Sequence, residues 1–372
     1  MTQKSDLAKL DKNFAPVEVA NDLKWYDIRD LGLEGQGWRD TESPYDRLPA
    51  RAKSLVRSSV WELSQCSSGL CARFMTDSTS ISARWTLRNA TLGMNHMPAS
   101  GMSGLDLYVK IKGKWIWAGV GIPNAQTTSG PLGGNYAPGL RECLLYLPLY
   151  NGVTSAAIGI ETKARLAMAP RRAGGKAAGI AVYGTSITQG GCASRSGMGY
   201  VELLARALDC HSINLGFSGN GPLEIEVIRF MAELNPAIYI LDCLPNMNAV
   251  QVRERTEPAV RALRAAHPAT PIVLVENITY QRAPAQVPGM AGREDNNVEL
   301  KAAWQRLRKA GVKGLFYVPG AKLLGGDNLG TVDGTHPTDA GFLRIAKALE
   351  SVVRKIGLRP PAPISKAPPC GF

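Results

Sequence analysis

Ser186, Asp333 and His336 are the residues of this chain whose types could together cleave an acyl bond. A serine hydroxyl needs a base to become a nucleophile at neutral pH, and the base needs a partner that orients it. Ser186 lies in Gly184-Thr185-Ser186, and the stretch Asp333-Gly-Thr-His336 offers an acid and a base about 150 residues later. Attack on a carbonyl develops negative charge on its oxygen, and each donor held ready for that charge is worth roughly 3 kcal/mol. Three candidate donors follow successive apolar runs: the backbone N–H of Ser186, that of Gly219 in Asn214-Leu-Gly-Phe-Ser-Gly219, and the side-chain amide of Asn246 in Asp242-Cys-Leu-Pro-Asn246.

The other polar candidates have plainer readings beside them. His96 sits in a loop rich in Gly and Met, where it is either a loop residue or a substrate contact. His211 and His267 stand next to helix ends and read as structural, and Glu224 and Glu226 read as a solvated helical face. Asp333 could orient His336, cap the last helix, or do both.

These groups need a scaffold that brings them to one end of a sheet. The apolar runs Ile180–Tyr183, Ser212–Phe217, Ala237–Cys243, Pro271–Glu276 and Gly314–Val318 read as buried strands. Helical patterns lie between them, with Val201, Leu204 and Leu208 on one face, then 221–234, 252–266, 295–310 and 338–356. Strands joined by crossover helices predict a three-layer α/β/α domain with a five-stranded parallel sheet, and ligands bind at the carboxyl ends of such strands. The first half differs. Ser59–Ser64, Cys71–Met75, Ile81–Leu87, Leu105–Lys110, Lys114–Trp117, Arg141–Leu147 and Ala156–Ile160 read as short strands separated by turns, predicting an antiparallel β-sandwich of jelly-roll type. The expected layout is a polar lead-in over 1–20, the sandwich over 21–170, the α/β domain over 171–358 and a proline-rich tail over 359–372, with the break at Ala169–Gly179.

The chain of 372 residues carries 43 basic and 31 acidic side chains, a net charge of +12. The basic residues are scattered, with no stripe or reader motif, which argues against nucleic acid as a partner. Cys66, Cys71, Cys143, Cys192, Cys210, Cys243 and Cys370 form neither a Cys-x-x-Cys pair nor a Cys/His cluster in sequence, so no metal site is expected and no cofactor is required. Cys66 and Cys71 could close a hairpin disulfide in an oxidising compartment. No signal peptide and no membrane-spanning run is visible, which reads as a cytoplasmic protein, or a secreted or periplasmic one were a leader to precede it. Oligomeric state is not legible.

In their order and content these blocks resemble the SGNH (GDSL-type) hydrolases over residues 178–358. The resemblance implies Ser186 as nucleophile, His336 as base, Asp333 as its orienting acid, and Ser186, Gly219 and Asn246 as the oxyanion hole. Two departures stand out: Thr185 replaces the acid of Gly-Asp-Ser, and Leu-Pro-Asn-Met replaces Gly-x-Asn-Asp. Met97-Pro-Ala-Ser-Gly-Met-Ser-Gly-Leu-Asp-Leu-Tyr108 is similar to the β-sandwich that precedes some members, among them carbohydrate acetylesterases and an acyltransferase. The implied function is hydrolysis of short acyl esters, acetyl above all, of a carbohydrate or similar small molecule through an acyl-enzyme. The alternatives are an acyltransferase with an alcohol acceptor and a catalytically silent carbohydrate-binding protein.

Overall fold

The computed structural model describes residues 22–172, 179–281, 285 and 294–358. The polar lead-in and the proline-rich tail lie outside these residues, as do residues 173–178 of the expected break.

Among the described residues, ten antiparallel strands build the first half: β1 (Leu23–Asp27), β2 (Leu33–Glu34), β3 (Cys71–Thr76), β4 (Ile81–Leu87), β5 (Leu105–Ile111), β6 (Lys114–Gly121), β7 (Thr127–Gly133), β8 (Arg141–Tyr146), β9 (Val153–Glu161) and β10 (Leu166–Met168). They form a sheet in the order β1-β9-β4-β7 and another in the order β10-β3-β8-β5-β6, with β2 paired to β3. Between them lies an apolar core that includes Phe74, Trp85, Leu107, Leu145 and Ile158. The sandwich expectation therefore holds, with two local differences. Ser59–Ser64 is not a strand but part of helix α1 (Ser58–Ser64): its buried residues Val60, Trp61 and Ser64 have the spacing of one helical face. β7 contains Gly130 and Pro131, which mask it as a strand in the sequence; it sits at the edge of its sheet, where a missing N–H is tolerated.

The second half has five parallel strands, β11 (Ile180–Gly184), β12 (Ser212–Gly216), β13 (Ile238–Asp242), β14 (Ile272–Val275) and β15 (Leu315–Val318), in the order β12-β11-β13-β14-β15. β11, β12, β13 and β14 are buried throughout, as strands covered on both faces must be. With α2 (Ala99–Met102) lying in the sandwich, the helices here are α3 (Ser186–Gln189), α4 (Tyr200–Leu208), α5 (Ile225–Met231), α6 (Ala249–Ala266), α7 (Glu294–Lys309) and α8 (Asp339–Ile356). Separate apolar cores cover the two sheet faces. The chain leaves β11 for β12 on one side and then crosses to β13 on the other. That reversal opens a crevice at the carboxyl end of β11.

The two halves are not merely tethered. Trp38, Leu48, Ala52, Val60 and Trp61 belong to one core of the α/β half. Arg47, fully buried, donates to the carbonyls of Asn214 and Gly216 at the end of β12, and to those of Leu63 and Cys66.

Candidate active site

β11 ends at Gly184, where a Cβ would fall 1.9 Å from Thr188 Oγ1; only glycine lets the chain turn there. Thr185 then caps α3, its hydroxyl accepting from the Ile187 N–H at 3.3 Å. An aspartate would cap in the same way, so threonine in place of the usual acid keeps the local function. Ser186 is the first residue of the helix and is 6% exposed. Its carbonyl is held by the N–H groups of Gly190 and Gly191 and by the Tyr150 hydroxyl at 3.2 Å.

Beneath the serine lies a polar network buried in the sheet. Tyr200 donates to Asp242 Oδ2 at 2.7 Å, and Thr188 reaches both groups. Burial raises the Asp242 carboxyl to about 6 despite these hydrogen bonds. Gln189 spans from the Leu149 carbonyl to the Ser218 N–H, which ties α3 to the loop after β12.

The loop before α8 carries Asp333 and His336. Asp333 Oδ1 accepts from the N–H groups of Thr335 and His336 at 2.9 and 2.8 Å, while Oδ2 meets His336 Nδ1 at 2.6 Å. Partial burial would raise the Asp333 carboxyl, but its bonds to the His336 ring and to the two N–H groups outweigh this and hold it down at about 2. His336 Nε2 lies 2.9 Å from Ser186 Oγ. The hydroxyl, the imidazole and the carboxylate thus form one continuous chain, able to take up the serine proton and stabilise the resulting imidazolium. The last helix is capped by Thr338, not by Asp333.

Asn246 ends a short turn after β13, and its Oδ1 accepts from the Gly221 N–H at 3.1 Å. That bond leaves the Nδ2 donor of the amide to face elsewhere. Pro245 fits inside the turn, so the Leu-Pro-Asn-Met departure costs no hydrogen bond there. Gly219 takes φ +66° in the turn closed by Asn220 N–H to Phe217 O, with nothing within 4 Å of where a Cβ would be. Among the described residues, the N–H groups of Ser186 and Gly219 donate to no protein acceptor.

The sandwich contributes the rim. The His96 ring stands edge-on to His336, with centroids 5.6 Å apart. Its loop is docked on the segment following α3: Ser100 donates to the Ser194 carbonyl at 2.7 Å, and Gly101 lies so close to Ala193 that a Cβ would fall 2.1 Å from its carbonyl oxygen. Asp106 of Gly104-Leu-Asp-Leu-Tyr108, with no exposed surface, accepts from the Gly197 N–H at 3.0 Å and pairs with Arg195 at 3.2 Å. Nothing local in the sequence pointed to Tyr200 or Cys192, because each acquires its partners only across the fold; Asp106 lies in the Met97–Tyr108 stretch, but its partners Gly197 and Arg195 are equally distant in sequence. Cys192 is buried at φ +73°, and burial, aided by the Asp333 charge, pushes its thiol up to about 12.

The remaining expectations divide. His211 accepts from the Gly35 N–H at 3.2 Å and His267 lies 2.8 Å from the Ala232 carbonyl, both structural positions. Glu224 does not sit free on a solvated face; it pairs with Arg57 at 2.5 Å, across the two halves. Cys66 and Cys71 are free thiols, so the hairpin disulfide is absent: Cys66 lies in the field of Arg47 and Arg88, Cys71 in that of Glu34 and Arg172. No helix among the described residues is long and apolar enough to cross a membrane.

Comparison with known proteins bears on family and fold. Residues 177–354 match the GDSL-like lipase/acylhydrolase family, and residues 23–166 match the N-terminal domain of SGNH-hydrolase-type esterases named for the motif GxDLY. A protein described as a GDSL-like lipase from Bacteroides ovatus is 34% identical, with a TM-score of 0.84 over 90% of this chain and 98% of its own. A salicylyl-acyltransferase from a tetracycline biosynthetic pathway shares the fold at 20% identity, with a TM-score of 0.73 over 91% of this chain and 99% of its own. A family two carbohydrate esterase from Cellvibrio japonicus does so at 15% identity, with a TM-score of 0.59 over 90% and 98%. No curated protein matches the sequence. The chain belongs to the GDSL-like lipase/acylhydrolase (SGNH hydrolase) family and is an enzyme of the serine esterase class.

Proposed function

We propose that the protein hydrolyses short-chain acyl esters, acetyl above all, of a carbohydrate or similar small molecule, through an acyl-enzyme on Ser186. The observation that carries this reading is the 2.9 Å contact between Ser186 Oγ and His336 Nε2, with Asp333 on the other ring nitrogen. His336 takes the serine proton as Oγ attacks the acyl carbon. Asp333, ionised down to about pH 2, holds the tautomer and balances the imidazolium. The Ser186 and Gly219 N–H groups and Asn246 Nδ2 receive the oxyanion. His336 then protonates the departing alcohol, activates water, and the acid leaves. No metal or organic cofactor takes part in this sequence. The edge-on position of His96 supports a role against the alcohol part of the substrate.

Solvent access supports hydrolysis over transfer: the His336 side chain is 22% and that of Asp333 34% exposed, so water reaches the base directly. The test is turnover of p-nitrophenyl esters from acetate to octanoate by wild type and Ser186→Ala, with an added alcohol in parallel. Activity that is highest on acetate, vanishes in the variant and yields free acid supports the proposal. A new ester as the main product would replace it with the acyltransferase reading. No turnover on any ester, acetylated sugars included, would leave the silent binding protein.

A further inference from the structure

Four side chains that bind metals well converge at the rim of the site, although they are scattered over three parts of the sequence. One donor atom from each of His96, Cys192, Asp333 and His336 lies within 4.8 Å of all the others. They come from a sandwich loop, from the segment after α3 and from the loop before α8. Two imidazoles, a thiol and a carboxylate make a mixed nitrogen, sulfur and oxygen set. Such a set suits a tetrahedral, borderline-soft divalent ion and does not suit Mg²⁺ or Ca²⁺, which take oxygen alone. In a tetrahedral zinc site the donors stand roughly 3.3–3.8 Å apart, so contraction of this cluster by about 1 Å would close it. Cys192 adopts a left-handed conformation that is uncommon for a residue with a Cβ. Its buried thiol faces the field of Asp333.

We propose that Zn²⁺, or an ion of the same class, is captured by His96, Cys192, Asp333 and His336 and reversibly switches the enzyme off. Binding forms an S–metal bond and releases the thiol proton to water; no oxidant or reductant is involved. Both His336 nitrogens are already engaged, one by Ser186 and one by Asp333. Whichever nitrogen the ion takes, one of these bonds is lost and proton transfer from the serine fails. The switching rests on the Ser186/His336 reading above, whereas the binding does not.

Co²⁺ titration of the whole protein tests the binding by absorption, without any turnover. The expected result is one ion per chain with a thiolate-to-cobalt charge-transfer band, unchanged in Ser186→Ala and lost in Cys192→Gly. Glycine suits that backbone position better than alanine. His96→Ala, on an exposed loop, is the second variant and should weaken binding at least about tenfold, a change of 1.4 kcal/mol. Ester turnover should fall with added Zn²⁺ and return with a chelator, and each variant, measured against its own metal-free rate, should need more zinc. Absence of a thiolate band, or equal zinc sensitivity in wild type and Cys192→Gly, overturns the site. A thiolate band with turnover untouched overturns the switch and counts against His336 as the base. A band in a protein that turns over no ester overturns the switch while leaving the site standing.

Discussion

The floor and the rim of the site are built on opposite terms. Ser186 stands on a buried floor, where Thr185, Thr188, Gln189, Tyr200 and Asp242 hold α3 through hydrogen bonds closed off from water. His336 and Asp333 stand on a loop that keeps roughly a fifth to a third of each side chain in solvent, and His96 opposite them is exposed. On the floor, strain and desolvation decide what is tolerated, so a substitution there changes stability and activity together. On the rim, geometry alone decides, so a substitution changes activity and leaves the fold intact.

The sharpest way to test that contrast is at the contact where the two meet. Ser186→Ala and His336→Ala should each lower kcat by at least about 10³, with the double variant little worse than either, because residues acting as one unit are strongly non-additive. The Tm of His336→Ala should stay near wild type; additive losses in kinetics would undo the pairing. Next in size is Asn246→Ala, expected to lower kcat about 10²-fold through loss of one donor to the developing charge, with KM for p-nitrophenyl acetate little changed. A change confined to KM would remove Asn246 from that role.

A glycine pair near the site separates a packed position from an open one. A Cβ at Gly221 would fall 2.0 Å from the Gly184 carbonyl oxygen, whereas one at Gly219 meets nothing within 4 Å. Gly221→Ala should destabilise by about 1–3 kcal/mol, as overpacking does. Gly219→Ala faces only its left-handed backbone, which costs roughly 1 kcal/mol. Chemical denaturation of both variants checks the order, and equal losses would break the distinction.

The smallest effect concerns Glu202 on α4, buried beside the floor. Its Oε1 accepts from Asn214 Nδ2 while its Oε2 has no partner among the described residues. Burial raises this carboxyl to about 7, against the partial relief given by Asn214, Arg206 and Arg47. A carboxyl raised on folding contributes stability below its unfolded value near 4.5, and that contribution is lost as pH rises through about 7. Glu202→Gln should therefore raise Tm by a few degrees at pH 8 relative to wild type and by less at pH 5. Equal shifts at both pH values would refute it. Deleting residues 1–170 should unfold the α/β half, because Arg47, Trp38 and Trp61 form part of it.

Much of the α/β fold, and the residues that meet at Ser186, could be read from local sequence. The parallel strands were legible because each is an apolar run, and the meeting of Ser186, His336 and Asp333 because each of these residues follows such a run or precedes a helix. Proximity in sequence to a strand end is proximity to the crevice, so type and spacing sufficed. Tertiary structure decided what depends on contacts between distant segments. Ser59–Ser64 alternates like a strand, yet packing Val60 and Trp61 against the α/β core makes it a helix. β7 pairs as an edge strand despite its glycine and proline. Tyr200 finds Asp242 across the sheet, and Cys192 and His96 reach the catalytic loop from opposite halves of the chain. Periodicity records which face of an element is buried; it carries no record of what that face meets.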